Sequence, residues 1–306
     1  MQQVYDAVIV GGGPAGVSCA VWLARLGLSP VLVEAGECLG GLTATNPFTD
    51  DWLAALPGAT GLQIAANLAQ SAQAAGVPVL LRSPVAQVRV EENLYLVELA
   101  WPRQAGTREA GPAKTVRGHT LVIASGVLAR NLAGYPLQAR WPGVLVGPGS
   151  AIVAQDYAGL SVAVLGGGDN AFENFVYVRG RGAKTVHLYS RTVRAQSQWI
   201  ARAGDVGVHR GDYAVDPVTR MVNGRRYDLI LVFYGWEPQA AFADGLNLAR
   251  DERGYIRTDA ATAQASLPGV YAIGEVANRM HPCVVTSMAD GVVAAKAIQR
   301  RREQQA

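Results

Sequence analysis

The chain has 306 residues, half of them hydrophobic, and a formal net charge of +3. That length can bury two cores, so two domains are expected. The charge is too small to argue for nucleic acid, no apolar run reaches the ~18 residues of a membrane span, and Cys19, Cys38 and Cys283 are too few and too scattered for a disulfide framework.

The first expected strand begins a few residues after Met1 and leaves no room for a signal peptide. A cytoplasmic location without membrane association is therefore expected. The apolar run Ala7 to Val10 leads into Gly11-x-Gly13-x-x-Gly16, then a helical stretch, then a second apolar strand ending at Glu34. A bound dinucleotide needs that order: Gly11 permits the tight turn, Gly13 lets the backbone approach a pyrophosphate, and Gly16 lets helix pack closely on strand. The helix N-terminus offers free N–H groups and a positive dipole end to the phosphates. Glu34, at the strand end, can accept from a ribose 2′-OH.

Gly36 to Gly41 is a turn-rich loop, and Leu62 to Ala75 has the spacing of an amphipathic helix. Short strands are expected around Val79–Leu81, Val85–Val90, Leu94–Leu99 and Thr115–His119, with a polar loop at Pro102 to Pro112. A meander after a βαβ unit predicts a small antiparallel layer on a parallel sheet. The strand from Leu121 ends in Ala124-Ser125-Gly126, residues small enough to let a flavin or adenosine approach the backbone. Arg130 to Ser150 reads as loop.

A second fingerprint follows. Strand Val162–Leu165 runs into Gly166-x-Gly168-Asp169-Asn170-Ala171, and the returning strand Thr185–Tyr189 ends in Ser190-Arg191 instead of a carboxylate. Without the acid a 2′-phosphate is not repelled, and an arginine can pair with it, so this site leans towards NADP. An apolar strand, Tyr227–Tyr234, then enters Gly235-Trp236-Glu237-Pro238. Gly269 to Glu275 is a further strand ending in an acid, and Thr286 to Arg300 a helix with small residues on one face. Arg300-Arg301-Arg302 is expected to be a frayed, solvated helix end.

With these pieces in order, the chain resembles the low-molecular-weight thioredoxin reductase family of flavoproteins from about Tyr5 to Arg300. The carriers are Gly11–Gly16, Gly40-Gly41, Ala124-Ser125-Gly126, Gly166–Ala171, Tyr234-Gly235-Trp236-x-Pro238 and Gly269–Val276. The resemblance implies an α/β fold of two Rossmann-like dinucleotide-binding domains (three-layer ββα), the second inserted into the first. Residues 1–128 and 247–306 would form the FAD domain and 129–246 the NADPH-type domain. It also implies a homodimer and a domain rotation that presents nicotinamide and dithiol to the flavin in turn. Gly11, Gly13, Pro14, Ala15 and Gly16 would hold the FAD pyrophosphate and Glu34 the adenosine ribose. Gly40, Gly41 and Leu42 would run along the flavin, with Ala124 and Gly126 at the neighbouring strand end and Val85 contacting adenine through its backbone. Glu275 takes the place of an aspartate that accepts from the ribityl chain. Pro282, Cys283 and Val284 would lie beside the isoalloxazine, ahead of a helix N-terminus that stabilises reduced-flavin charge.

Two departures bear on function. A Cys-x-x-Cys should precede the second fingerprint by about 15 residues, but Val146-Gly147-Pro148-Gly149-Ser150-Ala151 stands there. Without that thiolate the usual route to thioredoxin is closed. The family's arginine-rich phosphate segment is reduced to Arg191 and Arg194 in a shortened spacing, so the second site could take NADPH or a second FAD, as in diflavin-linked disulfide oxidoreductases. Cys283 is the candidate redox thiol, because a helix N-terminus favours a thiolate, with Cys38 as its plausible internal partner and His281 as a candidate proton shuttle. A small buried filler is the alternative for Cys283, and a solvated loop residue for His281. The expected function is an FAD-dependent oxidoreductase passing electrons between the second dinucleotide, the flavin and a redox partner protein or small thiol/disulfide. A ferredoxin-type reductase, a thiol–disulfide oxidoreductase using Cys283 and a non-turnover redox sensor stay open.

Overall fold

The computed structural model describes residues 3–100 and 114–305, so the loop expected at 102–112 lies outside the described residues. The chain divides into two compact units, residues 1–127 with 238–306, and residues 128–237.

The first unit is built on a five-stranded sheet in the order Val270–Ala272, Leu121–Ile123, Ala7–Val10, Pro30–Val33, Val79–Leu80. All its pairs are parallel, with Ile9 opposite Leu32 on one side and Val122 on the other. Its central strands are buried on both faces, which is why they read as unbroken apolar runs. One face carries the helices Pro14–Arg25, Gly61–Ala74 and Val284–Gln305, joined through a core that includes Leu23, Ile64, Tyr271 and Ile298. The other face carries a four-stranded sheet ordered Val4–Tyr5, Thr115–Gly118, Leu94–Leu99, Val85–Glu91. Val88, Val97 and Val116 from that layer pack with Val8, Val31 and Ile123. The result is the expected three-layer ββα arrangement.

Local chemistry explains the helix ends. Pro14 opens the first helix at a position where its missing N–H costs nothing. Thr60 and Gln63 form a reciprocal capping box at the start of the second. The C-terminal helix begins two residues before the expected Thr286 and runs to Gln305. Its arginine run is not simply solvated, because Arg302 pairs with Asp6 at 2.9 Å.

The second unit has a parallel sheet ordered Val144–Val146, Leu229–Val232, Ser161–Leu165, Thr185–Ser190, Val208–Arg210. Helices Ser150–Ala154, Asp169–Arg179 and Ser197–Ala203 accompany it, with a small antiparallel sheet over residues 215–226. Val144–Val146 corrects the expectation of an unbroken loop from 130 to 150; Pro142-Gly143 and Gly147-Pro148 crowd a strand too short to show a period. The return to the first unit also falls earlier than the expected residue 247. The 3-10 helix Ala241–Leu246 belongs to the first unit, and Ala240 and Ala243 are buried in the same core as Val88. Among the described residues no helix is long and apolar enough to cross a membrane.

Candidate dinucleotide sites

In the first unit the glycine turn is compressed from both sides. Gly11 has φ +110°, and a methyl there would run into the Ala124 carbonyl; one on Gly16 would run into the Gly11 carbonyl. Gly13 differs. It is the N-cap of helix Pro14–Arg25 and has no side-chain cap. The nearest atom to a Cβ built on it is the Gly41 Cα, 3.9 Å away. The first-turn N–H groups therefore face a cradle that a side chain would fill, and the residues present fit a dinucleotide pyrophosphate.

The other candidate residues gather around that cradle. Glu34 accepts the Gly12 N–H on Oε2 and the Gly36 N–H on Oε1, each at 2.6 Å. A carboxylate has about four lone-pair sites, so Glu34 keeps capacity for a ribose hydroxyl. Gly40, with φ +120°, donates its N–H to the Gly12 carbonyl at 2.8 Å and leads Gly41 across the turn, with Leu42 exposed beyond it. Ala124 donates its N–H to the Val10 carbonyl, and Gly126 has φ +65° with open space at its Cβ position. The Ser83 N–H binds the Glu34 carbonyl at 2.9 Å, which brings Val85 to the same strand end.

Gly274 approaches the side chain of Ala15, placing Glu275 near the helix that starts at Pro14. Glu275 is half-buried, and among the described residues it makes no hydrogen bond or ion pair; burial pushes its carboxyl up. Sequence reasoning missed what fixes this segment. The Asp290 Oδ2 accepts the Gly274 N–H at 3.0 Å, while its Oδ1 pairs with Arg279 Nε at 3.1 Å. Neither residue sits in a motif, and the pair links a loop to a helix.

Cys283 caps the C-terminal helix. Its Sγ accepts the Thr286 N–H at 3.5 Å, and Thr286 Oγ1 accepts the Cys283 N–H at 3.2 Å. Thr286 Oγ1 also donates to the His281 carbonyl at 2.6 Å, while the His281 side chain is exposed. Pro282 is exposed, whereas Val284 packs on the core of the first unit. The three cysteines are unbonded; Cys38 is exposed, and full burial pushes the Cys19 thiol up.

The second unit repeats the turn. Gly166 has φ +139°, and a methyl there would run into the Phe233 carbonyl; one on Gly167 would meet the Thr192 carbonyl and Ser190 Oγ. Gly168 caps helix Asp169–Arg179 with nothing near its Cβ position, and Ala171 is buried. Beside the turn lies a cavity of about 630 Å³ whose lining includes Ser190, Arg191, Arg194, Tyr213 and Tyr234. Ser190 is 1% exposed and its Oγ has no partner. Arg191 and Arg194 are exposed, and among the described residues their guanidinium groups make no hydrogen bond or ion pair. Tyr213 and Tyr234 share a hydroxyl contact at 3.1 Å, and burial pushes the Tyr234 hydroxyl up. A smaller cavity of about 210 Å³ lies against Gly168, Asn170, Pro148 and Trp236. Asp169 also lines it, but both its carboxylate oxygens are taken by Gln196, through the backbone N–H at 2.7 Å and Nε2 at 2.6 Å.

These features define two dinucleotide-binding units, one in each half of the fold. The pyridine nucleotide-disulphide oxidoreductase family matches residues 5–291, and the chain belongs to that family. It is a thioredoxin reductase-like, FAD-dependent member. It is 27% identical to the thioredoxin reductase of Peptoclostridium litorale, over 96% of each chain. It is 26% identical to that of Mycolicibacterium smegmatis, over 96% of this chain and 95% of the relative. Among solved structures, thioredoxin reductase from Lactococcus lactis superposes with a TM-score of 0.79 at 23% identity, covering 98% of this chain and 99% of that one. A bacillithiol disulfide reductase from Bacillus cereus gives the same TM-score at 16% identity, covering 98% and 100%. Both structural likenesses concern the fold.

Proposed function

We propose that the protein moves reducing equivalents between NADP(H) in the second unit, FAD in the first, and a redox partner, without a Cys-x-x-Cys relay. The observation that carries the NADP(H) assignment is the end of strand Thr185–Ser190. A buried hydroxyl, unpartnered among the described residues, stands there instead of a carboxylate, followed on the same cavity by two guanidinium groups that make no hydrogen bond or ion pair among those residues. Such a pocket suits a ribose bearing a phosphate.

When bound, the flavin accepts a hydride and releases electrons, and this chain's residues provide its surroundings. In the first unit, Gly13, Ala15 and Gly16 would offer backbone N–H groups or space to the pyrophosphate, and Glu34 would hold the ribose. Glu275 would meet the ribityl chain as a half-buried acceptor. Cys283 and Thr286 fix the N-terminus of the C-terminal helix, whose positive end would favour anionic reduced flavin. The expected partner is a redox protein or a small thiol or disulfide. A cytoplasmic homodimer completes the assignment.

The test is the identity and number of nucleotides released on denaturation, with anaerobic titration by NADPH. One FAD per chain and loss of its visible absorbance on adding NADPH support the proposal. Two FAD per chain, or a flavin that NADPH leaves oxidised, would overturn it.

A thiol–disulfide reaction at Cys283 is a second reading, favoured by one observation: its half-buried sulfur accepts a helix N–H. Unchanged dithiol turnover in Cys283→Ser excludes it.

A further inference from the structure

Resting on the assignment of a phosphorylated dinucleotide to the second unit, we infer that Asp169 and Gln196 form a positioning latch that selects for it. The latch presents the guanidinium groups of Arg191 and Arg194 to the ligand before it binds.

Asp169 opens the eleven-residue helix whose N-terminus would receive the pyrophosphate. A carboxylate turned towards the ligand there would oppose the phosphates by charge. Here both oxygens are occupied, Oδ1 by the Gln196 backbone N–H at 2.7 Å and Oδ2 by its Nε2 at 2.6 Å. The carboxylate is thereby held against the loop that follows strand Thr185–Ser190.

That loop is pinned again two residues earlier, where the Arg194 N–H donates to the Gly167 carbonyl at 2.6 Å. Thr192 and Ser190 lie so close over Gly167 that no side chain would fit there. Arg191 and Arg194 therefore sit on a segment tied at the glycine turn and at the first helical residue, and both line the larger cavity.

The identity of residue 196 supports the same conclusion. Gln196 is the N-cap of helix Ser197–Ala203, yet it makes no side-chain cap. Glutamine is not among the favoured N-caps, and Ser197 beside it would be. Its Nε2 serves Asp169 and not the backbone of its own helix, while its Oε1 accepts from the Gln198 side chain at 3.4 Å. The pair is not needed to close the sheet, because the strand before it is paired on both sides.

The experiment measures dissociation constants of NADPH and NADH for the FAD-loaded protein, with melting temperatures alongside. In Gln196→Glu, like charges open the latch. The ratio of NADH to NADPH dissociation constants should fall on the order of tenfold, the equivalent of one charge-assisted hydrogen bond. Gln196→Ala, which keeps the backbone donor, should fall less. Asp169→Asn combined with Gln196→Glu restores a donor opposite each acceptor and should recover most of the ratio. An unchanged ratio in Gln196→Glu, an equal loss for both nucleotides, or no recovery in the double variant overturns the latch alone. Wild-type protein that fails to bind NADPH overturns the nucleotide assignment and the latch with it.

Discussion

Replacing Arg279 by methionine would strand a carboxylate inside the first unit. The side chains of Arg279 and Asp290 are 10% and 4% exposed and meet at 3.1 Å. Arg279 also donates to the carbonyls of Asp259 at 2.8 Å and Ala260 at 2.6 Å. Breaking such a pair from one side costs about 3–5 kcal/mol, because the remaining charge is buried without compensation. Burial already holds the Asp290 carboxyl above its ordinary value against the opposing pull of the Gly274 N–H and Arg279. Without the guanidinium it rises further. An acid whose folded pKa is raised carries no penalty while protonated in both states. It loses stability as pH climbs from the unfolded value, about 3.9, to the folded one. Arg279→Met should therefore lose more stability at about pH 8 than at about pH 5, read by urea unfolding of the FAD-loaded protein. Adding Asp290→Asn should return much of the loss, because the amide oxygen can still accept the Gly274 N–H. A cost below about 1 kcal/mol at the higher pH, or one equal at both, would refute the reasoning.

Two further outcomes rest on close packing and on capping. A Cβ added at Gly291 would lie 2.6 Å from the Ala15 carbonyl and 2.7 Å from the Cys19 nitrogen. Gly291→Ala should cost about 1–3 kcal/mol and loosen FAD through the helix that starts at Pro14, measured as unfolding midpoint and flavin retention. Thr286→Val removes half of the reciprocal cap at Cys283 and should cost about 1 kcal/mol, whereas Cys283→Ser installs a favoured N-cap and should cost nothing by unfolding. Turnover lost in the serine variant would then report thiol chemistry and not a damaged helix.

The strand–turn–helix units were legible because buried parallel strands and glycine turns leave continuous local signals. Ala7–Val10 with Gly11–Gly16, and Ser161–Leu165 with Gly166–Ala171, could be placed to within a residue. What escaped was set by contacts between distant positions or by elements too short for a period. Val144–Val146 is three residues between proline–glycine pairs, and only its pairing with Leu229–Val232 makes it a strand. Residues 238–246 fall in the first unit, earlier than the sequence suggests, because a 3-10 turn carries no periodic signature; Ala240 and Ala243 share a core with Val88. Gln196 lies 27 residues from Asp169, and Arg279 lies 11 from Asp290. Nothing local marks either pair. The Cys283 cap moved the last helix start by two residues, since cysteine is not a residue from which a helix beginning is read.

The two glycine turns share geometry but are braced by different chemistry. At the first, the carboxylate of Glu34 lies against the middle glycine and takes the Gly12 and Gly36 N–H groups, and the Gly12 carbonyl accepts from Gly40. At the second, Ser190 Oγ occupies the corresponding place against Gly167 and takes no hydrogen bond, while the Gly167 carbonyl accepts from Arg194. The second brace lacks the charged side chain of the first, whereas a main-chain N–H reaches the middle glycine carbonyl in both. The consequence is electrostatic. The first turn carries a fixed negative charge where a ribose would lie, which favours hydroxyl donors and opposes a phosphate. The second has no charge at that point, and Arg191 and Arg194 follow it without a hydrogen bond or ion pair from their guanidinium groups among the described residues, with the nearby acid, Asp169, tied to Gln196. On the proposed assignment, the same fold unit would offer two ribose pockets of opposite preference. That difference supports assigning the phosphorylated nucleotide to the second.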